Sequence, residues 1–501
     1  MKIELLGTLD YNKLEEALKG KVENVEEIIY EIKNLAKEQK TNVVATAARL
    51  SRFPGNVFEV LNISEQNSYE KNVNFIKRVI GMGHDSITDH DYLVFGIENV
   101  SAMIEQMIIA ERFSSFTIKS RREVDFTNAG FYIPNFHDEN GVMISNNNQV
   151  KEEYQKHMKS LFQNYGQFVN QNMKLEDARF ILPYCYYSNI MMGIDAHTLK
   201  DMIIKFTKTK YAKIEELRLF GERLKEIAEQ SCEYILDEIN KAPLKLEDGV
   251  DEFLNSNLQR GQYQVLDRPK LLNHTENTDD VILMSALMRR YQYNHLEAKR
   301  VLEELSKNNP EFKQILMRKI AFESDRLEFT QVNFQFQLAL SYAVLTHLTR
   351  HRTHDIIFPD FAPIIDLMQY KIPPTMNENQ QKQLQKIFKN NFEVYQSLKE
   401  QYHIREEDLV YFTLSGNMCN ILTNMNGWDL RHILELRMCN KAQWETRAMA
   451  NGMYQEVSKQ KDAELFSSIL GPTCVTKRVC NEGKESCGRI LKLLEQDQRE
   501  V

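Results

Sequence analysis

No stretch of this sequence approaches the ~18 consecutive apolar residues that a membrane-crossing helix needs, so no span is expected. The opening MKIELLGTLDYNKLEE lacks an apolar segment of secretory-leader length, and no signal peptide is expected. Basic residues are not in excess. The 63 Lys and Arg against 71 Asp and Glu leave a formal net charge of -8, the wrong balance for a general nucleic-acid binder. Cysteine is scarce and odd in number, seven in all, which argues against a disulfide framework and for reduced thiols in a cytoplasm. Anionic small ligands are not excluded, because a local arginine cluster holds a phosphate even inside an acidic protein.

The 501 residues are too many for one ordinary core and suggest two to four domains. A unit of roughly 250 residues buries about three-quarters of its unfolded surface, so no covalent staple is required. Helical spacing dominates residues 11–39, 146–173, 196–240, 278–308, 378–403 and 428–461. The clearest strands are short, 92–97 (YLVFGI) and 332–336 (VNFQF), and an apolar helical pattern follows each.

That parallel extends into a repeat. The order strand, apolar helix, arginine-rich end, extended segment and Ile-Pro occurs twice. The first copy reads YLVFGI, VSAMIEQMII, ERFSSFTIKSRR, FYIP; the second reads VNFQF, LALSYAVLTHL, TRHRTHDIIFPDFA, YKIP. Each copy later carries Ala-x-x-Glu in a long helix, Ala212-Lys213-Ile214-Glu215 against Ala442-Gln443-Trp444-Glu445. The join falls in the polar stretch 241–260, near Pro243, Gly249 and Gly261, and gives copies of 1–245 and 246–501. Identity between the copies is low, and two unrelated helical domains are the competing reading.

Chemistry-bearing residues are divided between the copies. The second has Arg350-His351-Arg352 after its apolar helix, where the first has Ala110-Glu111-Arg112. Further on the first has Ser115, Ser120 and Arg122, where the second has Asp355, Asp360 and Ala362. The first has Ala178-Arg179-Phe180-Ile181-Leu182-Pro183, matched by Leu409-Val410-Tyr411-Phe412-Thr413-Leu414. Conversely, Asn426 and Arg437 of the second copy are matched by Asp195 and Phe206. Together the copies complete the pattern RHRxxSxxxxSxR and its companion segments; neither does so alone. On these motifs most of the chain resembles the flavin-dependent (FAD-dependent) thymidylate synthases, in a tandem two-repeat form.

The resemblance implies an α+β fold: two copies of a central, mostly antiparallel sheet flanked by long helices, as a pseudo-dimer. It implies an enzyme that methylates dUMP to dTMP, with FAD as cofactor and methylenetetrahydrofolate and NADPH as co-substrates. In the family the site lies between subunits, so a duplicated chain can keep one composite site and lose the other. A homodimer then imitates the family's tetramer. The implied dUMP contacts are Ser115, Ser120, Arg121, Arg122, Arg179, His347, Arg350 and Arg437. Arg437 is the implied catalytic residue, stabilising negative charge on the uracil N3/O2 edge. The implied FAD contacts are Arg350, His351, Arg352, Asn426 and His432, with Ser51, His84 and Ser86 from the first copy. His84 and Ser86 lie in Gly83-His84-Asp85-Ser86-Ile87-Thr88-Asp89-His90, which resembles the family's Gly-His-x-[Ser/Thr]-x-x-Glu-His segment.

Three positions depart from the family pattern. Ile118 replaces a Glu, Trp428 replaces a flavin-contacting Arg, and His347 replaces a Gln. They leave two other readings: a flavin- or nucleotide-binding pseudoenzyme, and methylation of a different pyrimidine nucleotide. Cys185, in an aromatic run without an adjacent base, is expected to be an inert core thiol rather than a nucleophile. The tail 471–488 carries Cys474, Cys480 and Cys487 without C-x-x-C pairing or a fourth ligand beyond the guess of Cys439. No metal is expected, and these thiols are only weak candidates.

Overall fold

A computed structural model describes residues 1–6, 11–258, 264–323, 325–357, 359 and 366–499. Gly261, Asp360 and Ala362 lie outside the described residues. Packing divides the chain into one unit of Met1–Gln262 with Lys382–Thr413, and another of Tyr263–Gln381 with Leu414–Val501. Sequence order assigns 382–413 to the second copy, yet its partners lie in the first unit. Asn391, fully buried, donates to the Phe412 carbonyl at 2.8 Å and meets His157 Nε2 at 2.9 Å. The Tyr184 amide donates to the Thr413 carbonyl at 2.8 Å.

The two units carry matching sheets, entirely antiparallel. In the first, strands β1 (Lys2–Leu6), β2 (Tyr92–Ser101), β3 (Ser114–Ile118) and β4 (Tyr187–Asp195) lie in the order β1-β2-β4-β3. In the second, β5 (Lys270–His274), β6 (Asn333–Ser341), β7 (Asp355–Ile357) and β8 (Met418–Asn426) lie in the order β5-β6-β8-β7. Register repeats with topology. Tyr92 pairs with Asp195 as Asn333 pairs with Asn426, and Ser115 with Gly193 as Asp355 with Asn424. The α+β expectation and the matching of Ser115 to Asp355 therefore hold at single-residue resolution. Alternation explains the sheets: Leu93, Phe95 and Ile97 of β2, and Phe334, Phe336 and Leu338 of β6, all point into the cores.

Each long strand turns into a short, wholly buried helix, Ala102–Ile109 after β2 and Tyr342–Thr349 after β6. The corner is made by a serine whose backbone N–H donates to a buried carboxylate. Ser101 donates to Glu216 Oε1 at 2.8 Å and Ser341 to Glu445 Oε1 at 2.7 Å. This corrects the Ala-x-x-Glu match by one residue. The counterpart of Glu445 is Glu216, because both stand second in their helices, Glu215–Ser231 and Trp444–Ser458.

Several expected helices are interrupted. Residues 11–39 divide into Tyr11–Leu18 and Val25–Leu50, and 196–240 into Ala196–Lys208, Glu215–Ser231 and Leu236–Lys241. Residues 278–308 divide into Thr278–Tyr291 and His295–Asn308, and 428–461 into Gly427–Arg437 and Trp444–Ser458. The break at 292–294 sits at polar residues that a helical pattern reads as solvent face. Gln292 takes φ 58°, and Asn294 then caps the next helix in a reciprocal box with Glu297. Among the described residues no helix is long and apolar enough to cross a membrane.

The one-residue correction is testable. Glu216→Ala removes the acceptor of both Ser101 N–H and the Tyr411 hydroxyl, and should cost about 2–3 kcal/mol in denaturant titration. Glu215→Ala loses only a half-buried contact with Asn135 and should cost about 1 kcal/mol or less. Equal losses would restore the unshifted match.

Candidate active site

In the first unit, β3 runs into a turn that places Ser120, Arg121 and Arg122 near Arg179. The Ser120 hydroxyl accepts from the Arg122 amide at 3.2 Å. Arg122 Nε donates to Glu176 Oε2 at 3.0 Å, while Arg179 Nε donates to the Glu176 carbonyl at 3.2 Å. Arg179 is 2% exposed, and burial, with Arg121 and Arg122 beside it, pushes its guanidinium down to about 9. Three guanidinium groups gathered in one place suit an anion. Arg121 points into the core, pairing with Glu105 at 3.1 Å and lying 5.2 Å from the Tyr186 ring centroid; its Nη1 finds no protein partner. Ser115, on exposed β3, accepts from the Tyr92 hydroxyl at 3.1 Å. Gly193 makes room for that ring: a Cβ there would come within 2.5 Å of the Tyr92 oxygen.

A second feature of the same unit is a cavity of about 440 Å³ whose walls include Ser51, His84 and Ser86. The three expected flavin contacts of the first copy thus share one cavity. Arg49, Arg52, Phe53 and Phe75 also line it. The Arg49 guanidinium lies 4.3 Å from the Phe75 ring centroid and donates to Ser64 Oγ and Asn72 Oδ1. Aromatic walls with cations at the edge fit a flavin nucleotide's flat ring and charged linker.

In the second unit, helix Gly427–Arg437 brings Arg437 against the end of helix Tyr342–Thr349. Arg437 Nε donates to His351 Nε2 at 3.1 Å, and Nη2 donates to the His347 carbonyl at 3.0 Å. His432 meets His351 edge-on, with ring centroids 5.6 Å apart. Burial, then the charge of Arg437, pushes His351 down to about 3, so the ring is neutral and accepts through Nε2. His347 is buried within its helix, whereas Arg350 and Arg352 reach solvent. Asn426 caps helix Gly427–Arg437 by accepting from the Asp429 amide at 2.9 Å, as Asp195 caps Ala196–Lys208 through Thr198.

The equivalent places are differently furnished. At the position of His351 the first unit has Glu111, paired with Lys205 at 2.7 Å; at that of Arg437 it has Phe206, buried. At the position of Arg179 the second copy has Val410, in the matching short helix Val410–Phe412. Sequence reading missed Tyr92, Arg49 and the buried His354, whose Nδ1 lies 2.8 Å from Thr423 Oγ1. Among the described residues, only Asp89, Asp195 and His197 bring three possible metal-ligand atoms within 4.8 Å of one another. Asp195 is already engaged as a helix cap.

Comparison with known proteins agrees with this duplicated layout. The family described as thymidylate synthase complementing protein matches twice, at residues 34–232 and 270–461, one match for each repeat. A protein of Saccharolobus solfataricus named flavin-dependent thymidylate synthase is 33% identical over 146 residues, 28% of this chain and 55% of its own length. One of that name from Thermococcus onnurineus is 29% identical over 139 residues, 27% of this chain and 54% of its own. Another, from Clostridium tetani, is 28% identical over 243 residues, 45% of this chain and 94% of its own length. The chain thus spans about half the length of the first two relatives and nearly all of the third. It belongs to the thymidylate synthase complementing protein family and carries that family's unit twice.

Proposed function

We propose that this chain is a flavin-dependent thymidylate synthase that methylates dUMP, taking the carbon from methylenetetrahydrofolate and electrons from NADPH by way of FAD. One working site per chain draws on both repeats, and two chains form a homodimer. The observation that carries this reading is the sorting of charge. The first unit keeps a buried arginine cluster pressed to about 9 at Arg179 and has Glu111 with Lys205 in place of the histidine and arginine. The second copy in sequence keeps His351 and Arg437 and has Val410 in place of the buried arginine. Random decay would have removed residues from both sets in both copies.

Bound FAD supplies hydride chemistry; the chain's own residues bind, orient and polarise. Ser120, Arg122 and Arg179 hold the nucleotide phosphate through guanidinium forks and a hydroxyl. The Ser51, His84 and Ser86 cavity, together with Arg350, Arg352, His432 and Asn426, holds the flavin nucleotide. Arg437 stabilises negative charge on the pyrimidine edge, its plane fixed by His351 and the His347 carbonyl. Neutral His351 is what permits this, since a protonated ring would repel the guanidinium. Ile118 and Trp428 favour the pseudoenzyme as second reading, and anaerobic addition of NADPH, then dUMP and folate, separates the two. The enzyme bleaches and reoxidises its flavin with dTMP formed; the pseudoenzyme yields no dTMP.

Titration of the chain with FAD should saturate near one equivalent, whereas two intact repeats would take about two. Arg437→Ala should lower kcat by about 10²–10³. Phe206→Leu, at the equivalent place, should stay within about threefold of the parent. Similar losses from both would break the asymmetric assignment. His351 gives a pH test. Its value of about 3 in the folded chain lies below the ordinary 6.5, so the unfolded chain binds the extra proton between them. Stability contributed by neutral His351 is therefore present above pH 6.5 and lost as pH falls towards 3. In His351→Gln, the Tm-against-pH curve should flatten over that window; an unchanged slope would contradict the neutral ring.

A further inference from the structure

Four of the seven cysteines gather in one place in the second unit. Cys439 follows the helix that carries Arg437, while Cys474, Cys480 and Cys487 come from the tail. All four line a pocket of about 80 Å³ together with Glu435 and Arg489. The other three, Cys185, Cys232 and Cys419, are core thiols that burial pushes up to about 12. The family match ends at residue 461, so the family unit does not account for the tail.

The tail lacks a core of its own. Between residues 473 and 488 no side chain is buried, and the only helical pieces are Thr473–Thr476 and Gly483–Glu485. A segment this short, with nothing apolar inside, ordinarily depends on a cross-link. Polar contacts tie it down at a few points. Lys477 Nζ reaches Glu435 Oε2 at 2.5 Å, Thr473 Oγ1 donates to the Glu435 carbonyl, and Lys441 pairs with Glu485.

The thiols also have the surroundings of ligands. The Lys441 amide donates to Cys439 Sγ at 3.5 Å, and Asn440 Nδ2 donates to Cys487 Sγ at 3.5 Å. The Arg489 amide also bonds to Cys487. Such N–H donors are the outer partners that thiolate ligands use, and Lys441 and Arg489 bring positive charge to the same place.

We propose that Cys439, Cys474, Cys480 and Cys487 bind one zinc ion as a tetrathiolate site that fastens the tail to the end of the Arg437 helix. The four thiols release their protons to solvent, and the sulfurs replace the ion's water ligands in a tetrahedron, with no change of oxidation state. Soft sulfur donors in that geometry select zinc over magnesium or calcium. No three of the sulfurs lie within 4.8 Å of one another, since that limit is met only at Asp89, Asp195 and His197 among the described residues. Binding therefore draws the exposed Cys487 loop inward. The fourth ligand, which tail spacing alone does not supply, comes from Cys439.

The test is elemental analysis of the full-length chain, purified without chelator or a metal-binding tag. About one zinc per chain is expected, and cobalt exchanged into the site should show an intense sulfur-to-cobalt charge-transfer band. Cys474→Ser and Cys487→Ser should each reduce zinc content at least about tenfold; Cys487 is exposed, so its variant stays informative if the other fails to fold. FAD-binding stoichiometry, measured alongside, reports on the flavin site separately. No zinc as isolated and none after titration with Zn²⁺ alone would overturn the proposal, as would iron with inorganic sulfide at these cysteines.

Discussion

Each repeat depends on one buried contact, the carboxylate that accepts a backbone N–H where the long strand turns into the buried helix. Glu216 is 1% exposed and Glu445 4% exposed. Burial pushes Glu216 up to about 7 although Ser101 and Tyr411 both donate to it. A buried acceptor at that corner fixes the direction of the following helix, and that helix ends at Arg350-His351-Arg352 in one repeat and Ala110-Glu111-Arg112 in the other. Positions of the functional side chains are therefore set two turns upstream of them. The contact is local, strong and costly to lose, because a bare amide in the core has no water to turn to.

On that shared frame the repeats have diverged in charge rather than in shape. Sheets, register and corner contacts correspond, yet an acid with lysine stands in the first unit where neutral histidine with arginine stands in the second. Glu111 pairs with Lys205 in the first unit, while in the second the charge of Arg437 beside His351 disfavours a proton on the ring. Val410 in place of a buried arginine removes the desolvation cost of a guanidinium. A repeat with no anion to bind would gain stability by losing such a residue. That is a physical reason for each set to survive only where it is used.

The repeat, the strands and the split motif were legible because they rest on alternation and on residue types at fixed spacing. The exact pairing of Glu216 with Glu445 was not, because adjacent glutamates at 215 and 216 are indistinguishable until one is seen to be buried. Breaks such as Gln292 were hidden for a related reason: a polar residue in left-handed backbone looks like a solvated helix face. Packing of 382–413 with the first unit was likewise invisible, since Asn391 and His157 are far apart in sequence and ordinary in type. The pocket of four thiols needed the fold, because Cys439 lies 35 residues before Cys474.

The departures from the family pattern differ in what the fold does about them. Trp428 occupies the place of an arginine, but the guanidinium of Arg326 lies 4.8 Å over its ring, so a cation is held there from another segment. Arg326 takes φ 66°, a left-handed conformation uncommon for a residue with a Cβ. Its backbone thus adopts a strained form where the guanidinium meets the indole. Ile118 has no such replacement in its own strand: it pairs with Ile190 across the sheet, apolar against apolar. One change keeps the charge while altering its source, and the other removes a carboxylate. The second, on the strand that leads to the arginine cluster, is where altered substrate preference would arise, because losing an acid beside such a cluster changes which anions it would tolerate.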